Sequence, residues 1–331
     1  MRVYLTGATG FVGSNVAKVF AERHGATLCQ PAHHYGAGGD TNTTVVDLTD
    51  AATVHESVAA FRPDAVVHCA ILNDFRQLYA DRQAAWQAYV SATRNVVDAA
   101  NASRAKVVLA STDWVFDGTQ SGADEKTPPN PVNLYGVLKF ASEIVVAERA
   151  RDGAIARLSG VNGVHWARPN APRAQDAGFG YLVGSIVDAL SAGHPFTVWE
   201  SDSINMVATP SLASECAESM WRIIEHDRGG VHHCCGGEAV NRWQLAALTV
   251  EVFGLDASLL DTGPPDPDAL PPGLIPYDTS LDGRATAAAL GLEPASAREL
   301  LGLFRHERET GILAGGRGLV ADGRAGSGAV P

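Results

Sequence analysis

Tyr135 and Lys139 stand four residues apart in NLYGVLKFASE, residues 133–143, with small or apolar residues between them. On a helix, positions i and i+4 lie one above the other on the same face, so the phenol and the ammonium point into one space. A phenol beside a cation is drawn toward phenolate and can pass a proton to or from a nearby oxygen. The spacing alone is equally that of a surface pair with no role. A second constellation is Gly7, Gly10 and Gly13 in RVYLTGATGFVGSNVAKVF. It follows a strand and opens an apolar-periodic helix, the context that a dinucleotide-binding turn requires, although a purely structural tight turn would look similar. Gly7 lets the chain turn, Gly10 lets backbone approach a pyrophosphate, and Gly13 lets the helix pack on the sheet. The helix N-terminus then offers N–H donors and a positive dipole end to the phosphates.

The elements that must position these residues alternate. RVYLT, ATLCQ, AVVHCA, KVVLAS and AIARLS are strand-like, each bounded by Gly, Pro, Asp or Asn. Helix-like patterns fill roughly residues 11–24, 51–61, 81–102 and 133–150 between them. Strands separated by helical patterns imply right-handed βαβ units and a parallel sheet. After about residue 160 the rhythm breaks into Pro- and Gly-rich text. Helical patterns follow at 176–192 and 211–226, then a strand-like GVHHCC and a helix near 241–253. DTGPPDPDALPPG reads as a loop. The expected fold is α/β, a Rossmann-type doubly wound parallel sheet with a smaller C-terminal substrate-binding lobe. Residues 1–160 and about 205–236 would form the dinucleotide-binding part, and about 161–204 and 237–312 the lobe. Residues 313–331 would be a flexible tail.

Composition narrows the class. The 331 residues are 46% hydrophobic and 19% charged, enough for one large or two smaller cores. The net charge of −12 argues against a phosphate-backbone binder, so no nucleic-acid partner is expected. No run of about 18 apolar residues exists, and no membrane partner is expected. MRVYLTGATG enters a strand directly, without the pattern of a signal peptide. Five unevenly spread cysteines suggest a reducing compartment, hence a cytoplasmic protein. HHCC at 232–235 resembles a metal site, but alternate residues of a strand face opposite ways and cannot converge on one ion. No metal is expected. His24, His55, His165, His194 and His226 read as surface or loop residues; Trp86, Trp221 and Trp243 read as core.

The spacing TGxxGxxG, Thr6 to Gly13, resembles the extended, sugar-nucleotide-acting branch of the short-chain dehydrogenase/reductase superfamily. Further segments carry the resemblance: Asp47-Leu48 after the third strand, STDWVFDG at the end of the fifth, and RLSGVNG (Arg157 to Gly163) in the sixth. STDWVFDG with DEKTPPNPVNLYGVLK is most similar to dTDP-4-dehydrorhamnose reductases, over roughly residues 1–305. The resemblance implies that Tyr135 is the general acid/base, Lys139 its electrostatic and ribose partner, and Thr112 the hydrogen-bond donor to a substrate carbonyl. It implies cofactor contacts at Gly7, Thr9, Gly10, Phe11, Val12, Gly13, Asp47, Leu48, Cys69, Ala70 and Ile71, with Tyr135 and Lys139. Asp113, Trp114 and Asn162 would face the substrate, Asp113 as a second acid or a structural acceptor. Lys139 and an oxidised nicotinamide would favour phenolate at Tyr135.

Departures shape the expectation. LCQPAHHYG has no acidic residue where NAD enzymes grip the ribose, which favours NADP(H) over NAD(H) and offers His33 or His34 to a 2′-phosphate. Tyr89 stands where relatives place an Asn, HCAI replaces Asn-Ala-Ala, and Gly160 replaces a Trp, leaving more room. Thr112-Asp113-Trp114 lacks the Glu of the dehydratases, and Trp cannot take a proton from carbon. The expected activity is NAD(P)-dependent reduction of a keto group on a nucleotide-linked deoxysugar or related natural-product intermediate. The alternatives are an NAD-dependent sugar-nucleotide epimerase and a non-catalytic NADP-binding regulatory subunit. The resemblance implies a homodimer through the helices at about 81–102 and 133–150.

Overall fold

The computed structural model describes residues 1–32, 44–72, 74–171 and 174–315. Six parallel strands form the central sheet. They are β1 (Arg2–Thr6), β2 (Thr27–Cys29), β3 (Ala65–His68), β4 (Lys106–Thr112), β5 (Gly153–Leu158) and the strand Gly230–Cys234. Across the sheet they run Gly230–Cys234, β5, β4, β3, β1, β2. The chain leaves β1 toward one edge and returns on the other side at β3, so the order reverses between β1 and β3. Helices on both faces of the strands let loops converge above this switch point, the usual ligand crevice of such sheets.

Alternation of buried residues explains the two-sided cover. Val3, Leu5, Val67 and Val108 pack with Val16, Val19 and Phe20 of the helix Phe11–Glu22 and with Ala217, Met220 and Trp221. Tyr4, Val66, Val107 and Ile155 face Val54, Val58, Val96 and Val97 on the opposite side. A separate apolar cluster joins Leu182, Ile186 and Leu190 to Leu245, Val250, Leu300 and Phe304.

Several expectations are corrected. The strand before Asp47 is reduced, among the described residues, to one parallel bridge between Ala32 and Val45. The helix expected at 81–102 is three pieces: Arg82–Trp86, a π turn Gln87–Ser91, and Ala92–Ser103. The helix expected from 176 begins only at Leu182. Gly178 and Gly180 interrupt it, and Tyr181 holds a left-handed backbone with φ 65°, a conformation costly for a side-chain-bearing residue. The loop expected at 261–273 starts as strand, because Leu260–Gly263 pairs in parallel with Phe196–Trp199. Of the expected tail, residues 313–315 are described, and Ala314 is buried, its N–H on Glu307 and its carbonyl accepting from Arg23. The remainder lies outside the described residues. Trp221 is buried as expected, whereas Trp86 and Trp243 are exposed. No helix among the described residues is long and apolar enough to cross a membrane.

Candidate active site

The first turn of the phosphate-loop helix is built by backbone. Gly7 has φ 73°, and a Cβ there would sit 2.6 Å from the Ala70 nitrogen. A Cβ on Gly13 would sit 2.1 Å from the Gly7 carbonyl oxygen. Both positions therefore admit only hydrogen, and the loop closes as Gly10 N–H donates to Gly7 O at 2.9 Å. Gly10 caps the helix without any side-chain bond, as an anion-binding helix N-terminus requires. A cradle that a methyl group would fill, ending on an uncapped helix, fits a dinucleotide.

A cleft of about 1130 Å³ opens from this loop across the carboxyl ends of the strands. Gly7, Thr9, Gly10, Phe11, Val12, Gly13, Asp47, Leu48, Cys69, Ala70, Ile71, Thr112, Asp113, Trp114, Tyr135 and Lys139 all line it. Asn162 does not. It is buried, its amide donating to Gly160 O at 2.8 Å and its carbonyl accepting from Val183 N–H at 3.3 Å. Both ends of its side chain are tied to backbone, which corrects its assignment to the substrate. His33 and His34 lie outside the described residues.

Tyr135 and Lys139 share one face of the helix Leu134–Arg149, which Asn133 caps through Gly136 N–H. The residue between them explains itself: a Cβ on Gly136 would lie 2.2 Å from the Trp114 carbonyl, so only glycine lets this turn dock beside β4. Lys139 is buried and donates to Ala110 O at 2.5 Å. Burial draws its pKa down to about 8, with Cys69 and Glu143 pulling the other way. Around the phenol stand Phe75, Trp114 and Tyr89, with ring centroids 5.2, 6.0 and 6.2 Å away. This packing desolvates the hydroxyl and raises its pKa above 10, opposed by a hydrogen bond with Thr112. Tyr135 thus rests protonated, placed to donate.

At the end of β4 the Thr112 hydroxyl donates to Asp113 Oδ1 at 3.0 Å and accepts from Trp114 N–H at 3.2 Å. Asp113 Oδ2 accepts from Ser159 at 2.8 Å and Thr279 at 2.6 Å. Burial pushes the carboxyl up to about 6, and the three hydroxyls hold it lower than burial alone would. Of its two expected roles, the bonds describe the acceptor: it orients Thr112.

The departures from the family pattern have physical substitutes. His68 is buried between Thr6, at 2.6 Å from Nδ1, and Thr93, at 3.2 Å from Nε2. The Thr93 hydroxyl donates to Tyr89 O, so it accepts from Nε2–H, and Nδ1 accepts from Thr6. Burial and the Lys139 charge hold the imidazole neutral, with a pKa near 3. This chain fixes the Cys69–Ile71 segment over the cleft. Tyr89 donates its hydroxyl to Leu72 O at 2.9 Å. Gly160 lines the cleft. With φ 48°, its Cβ would press on Pro210 and Phe179 at 3.2 and 3.3 Å.

Sequence reasoning missed a distal wall. Asp176, Phe179 and Tyr181 line the cleft. Behind them Arg242, fully buried, donates to Gly178 O at 2.6 Å and Asp176 O at 3.1 Å. Asp176 is open to the cleft yet walled by protein; its carboxyl is pushed up to about 6 by that surrounding and drawn back by Arg242. Solvent reaching it through the cleft weakens the push. His165, read as a loop residue, is buried and lines the same cleft. The only sequence signal was the arginine opening a helix after Asn241. No group of His, Cys, Asp and Glu among the described residues could hold a metal ion.

Comparison with known proteins agrees with this geometry. A bovine protein named methionine adenosyltransferase 2 subunit beta is 26% identical over 262 residues, 78% of this chain and 74% of that protein. The probable low-salt glycan biosynthesis reductase Agl14 of Haloferax volcanii is 27% identical over 263 residues, 79% of this chain and 83% of that protein. The crystal structure of dTDP-4-dehydrorhamnose reductase from Bacillus anthracis in complex with NADP superposes with a TM-score of 0.74 at 21% identity, covering 92% of this chain and 99% of that one. The family model described as RmlD substrate binding domain matches residues 1–307, and the chain belongs to that family, among the extended short-chain dehydrogenase/reductases.

Proposed function

We propose that the chain reduces a keto group of a nucleotide-linked deoxysugar, or of a related natural-product intermediate, with NADP(H) or NAD(H). The observation that carries this reading is the junction of Tyr135, Lys139 and Thr112 with the Gly7–Gly13 cradle in one cleft. The nicotinamide dinucleotide, when bound, supplies the hydride. The Gly7–Gly13 loop and the helix behind it hold the phosphates. Asp47 and Leu48, at the cleft edge near Ala32, contact the adenosine end. Lys139, held by Ala110 O, keeps two further protons for ribose hydroxyls. Tyr135 gives its proton to the substrate oxygen as negative charge develops there. Thr112 turns its hydroxyl from Asp113 to the same oxygen. NADP(H) is the preferred form, because Cys29, Gln30 and Pro31 at the end of β2 bring no carboxylate to repel a 2′-phosphate.

The test is Tyr135→Phe, followed by NADPH consumption with a dTDP-4-keto sugar. Turnover at the wild-type rate would remove the phenol from the mechanism. A second reading, a non-catalytic subunit, is favoured by the resemblance to the bovine subunit. It predicts cofactor binding without turnover of any keto sugar, and stoichiometric capture of another protein. Trp86, Val137 and Ile144 are exposed on the helices Arg82–Trp86 and Leu134–Arg149, which supports a homodimer through them; light scattering would read it.

A further inference from the structure

The segment after β5 does something the sequence does not announce: it is fastened to the flank of the helix Phe11–Glu22. Asn15, fully buried, donates to Val164 O at 2.9 Å and accepts from the Trp166 ring nitrogen at 3.1 Å. Ser14 Oγ lies 3.4 Å from His165 Nδ1, and Lys18 sits 4.4 Å over the Trp166 ring. The chain then turns, Arg168 N–H donating to His165 O at 2.9 Å. The result is that the Arg168 guanidinium reaches the glycine-rich loop and donates to Thr9 O at 3.3 Å.

Charge makes this placement meaningful. A pyrophosphate is doubly anionic, and a helix N-terminus offers roughly half a positive charge. The loop Thr6–Gly13 contains no Lys or Arg. Among the described residues lining the cleft, the Lys and Arg side chains are Lys139, Arg76 and Arg168. Lys139 is bonded to Ala110 O, and Arg76 donates to Asp268 O at the opposite rim. Arg168 alone of these three contacts the phosphate loop. A guanidinium presents its donors as a fork suited to phosphate oxygens.

We propose that Arg168 is a diphosphate clamp. It is carried by the segment after β5, pinned to the phosphate-loop helix through Asn15, and it closes over the pyrophosphate of the dinucleotide cofactor. The proposal rests on the dinucleotide-binding part of the reading above. It makes Arg168 a binding residue contributed from outside the βα unit that carries the glycines.

Isothermal titration of the full chain separates the possibilities. Ligands are NADP⁺, 2′-AMP (adenosine end without pyrophosphate), and dTDP (the diphosphate of a nucleotide sugar). Arg168→Ala is expected to weaken NADP⁺ about tenfold or more, the scale of one charge-assisted hydrogen bond. Binding of 2′-AMP and dTDP stays within twofold. Arg168→Gln keeps a donor for Thr9 O but no charge, and is expected to weaken NADP⁺ nearly as much; Arg168→Lys recovers part of the loss. Unchanged NADP⁺ affinity in Arg168→Ala, full affinity in Arg168→Gln, an equal loss for 2′-AMP, or a loss confined to dTDP would each overturn the clamp. Wild-type protein that binds no dinucleotide would overturn the reductase reading together with it, whereas binding that Arg168→Ala leaves intact overturns the clamp alone.

Discussion

The two ends of the cleft are built by different physics. At the glycine loop the backbone decides: Gly7 and Gly13 leave no room for a Cβ. At the distal wall side chains decide: Arg242 reaches from its helix to carbonyls at Gly178, Asp176 and Asn205, holding a strained turn at Tyr181 against the cleft. The first end is local and tolerates almost no change in residue size. The second is long-range and depends on one buried cation whose two terminal nitrogens are bonded to protein oxygens. Between them lies the Tyr135 phenol, whose surroundings come from both halves.

That contrast can be broken in order of expected effect. Tyr135→Phe removes the proton donor shared by the two ends. Turnover should fall by about 10² to 10⁴, with the melting temperature and NADP⁺ affinity nearly unchanged; a parallel loss of stability would show that the phenol is structural instead. Arg242→Leu leaves several carbonyls without their donor, and urea denaturation should show a loss of about 3 kcal/mol. A near-neutral result would mean the distal wall holds without it. Gly13→Ala should cost about 2 kcal/mol and most of the dinucleotide affinity, because backbone must move. Stability lost without affinity would divorce the loop from the cofactor.

Asp113 gives a pH test with a definite sign. Its native pKa of about 6 lies above the ordinary carboxylate value of 3.8. Between those values the native state binds more protons than the unfolded chain, so this group makes stability fall as pH rises from 4 to 6. Asp113→Asn should flatten that part of the profile relative to wild type; parallel profiles would mean the carboxyl is not perturbed. The smallest effect belongs to Trp114→Ala, expected to raise the keto-substrate KM about tenfold with NADP⁺ affinity unaltered. A change in NADP⁺ affinity instead would move Trp114 to the other end of the cleft.

Legibility followed sequence distance. The glycine loop, the Tyr135–Lys139 face and the end of β4 were readable because each is a short segment whose spacing has one geometric meaning. The parallel sheet was readable from alternating apolar periods, with the strand before Asp47 shrinking to a bridge. Asn162 misled because a motif position says nothing about where an amide turns, and here both its ends find backbone. The phenol's desolvation was hidden for a related reason. Lys139 was visible four residues away, while Phe75, Tyr89 and Trp114 come from separate elements. Asp176 and Arg168 carried no local signature, and Arg242 only its place at the start of a helix.

By itself, then, the sequence determined the backbone-governed features: a glycine turn that only hydrogen side chains permit, a shared Tyr135–Lys139 face set by helical pitch, and a sheet set by apolar periodicity. Tertiary structure decided the electrostatics. Whether a phenol is desolvated, a carboxyl serves as acceptor, or an arginine reaches a phosphate loop depends on groups brought together from distant parts of the chain. No spacing rule encodes such encounters, because burial and charge are properties of neighbours in space.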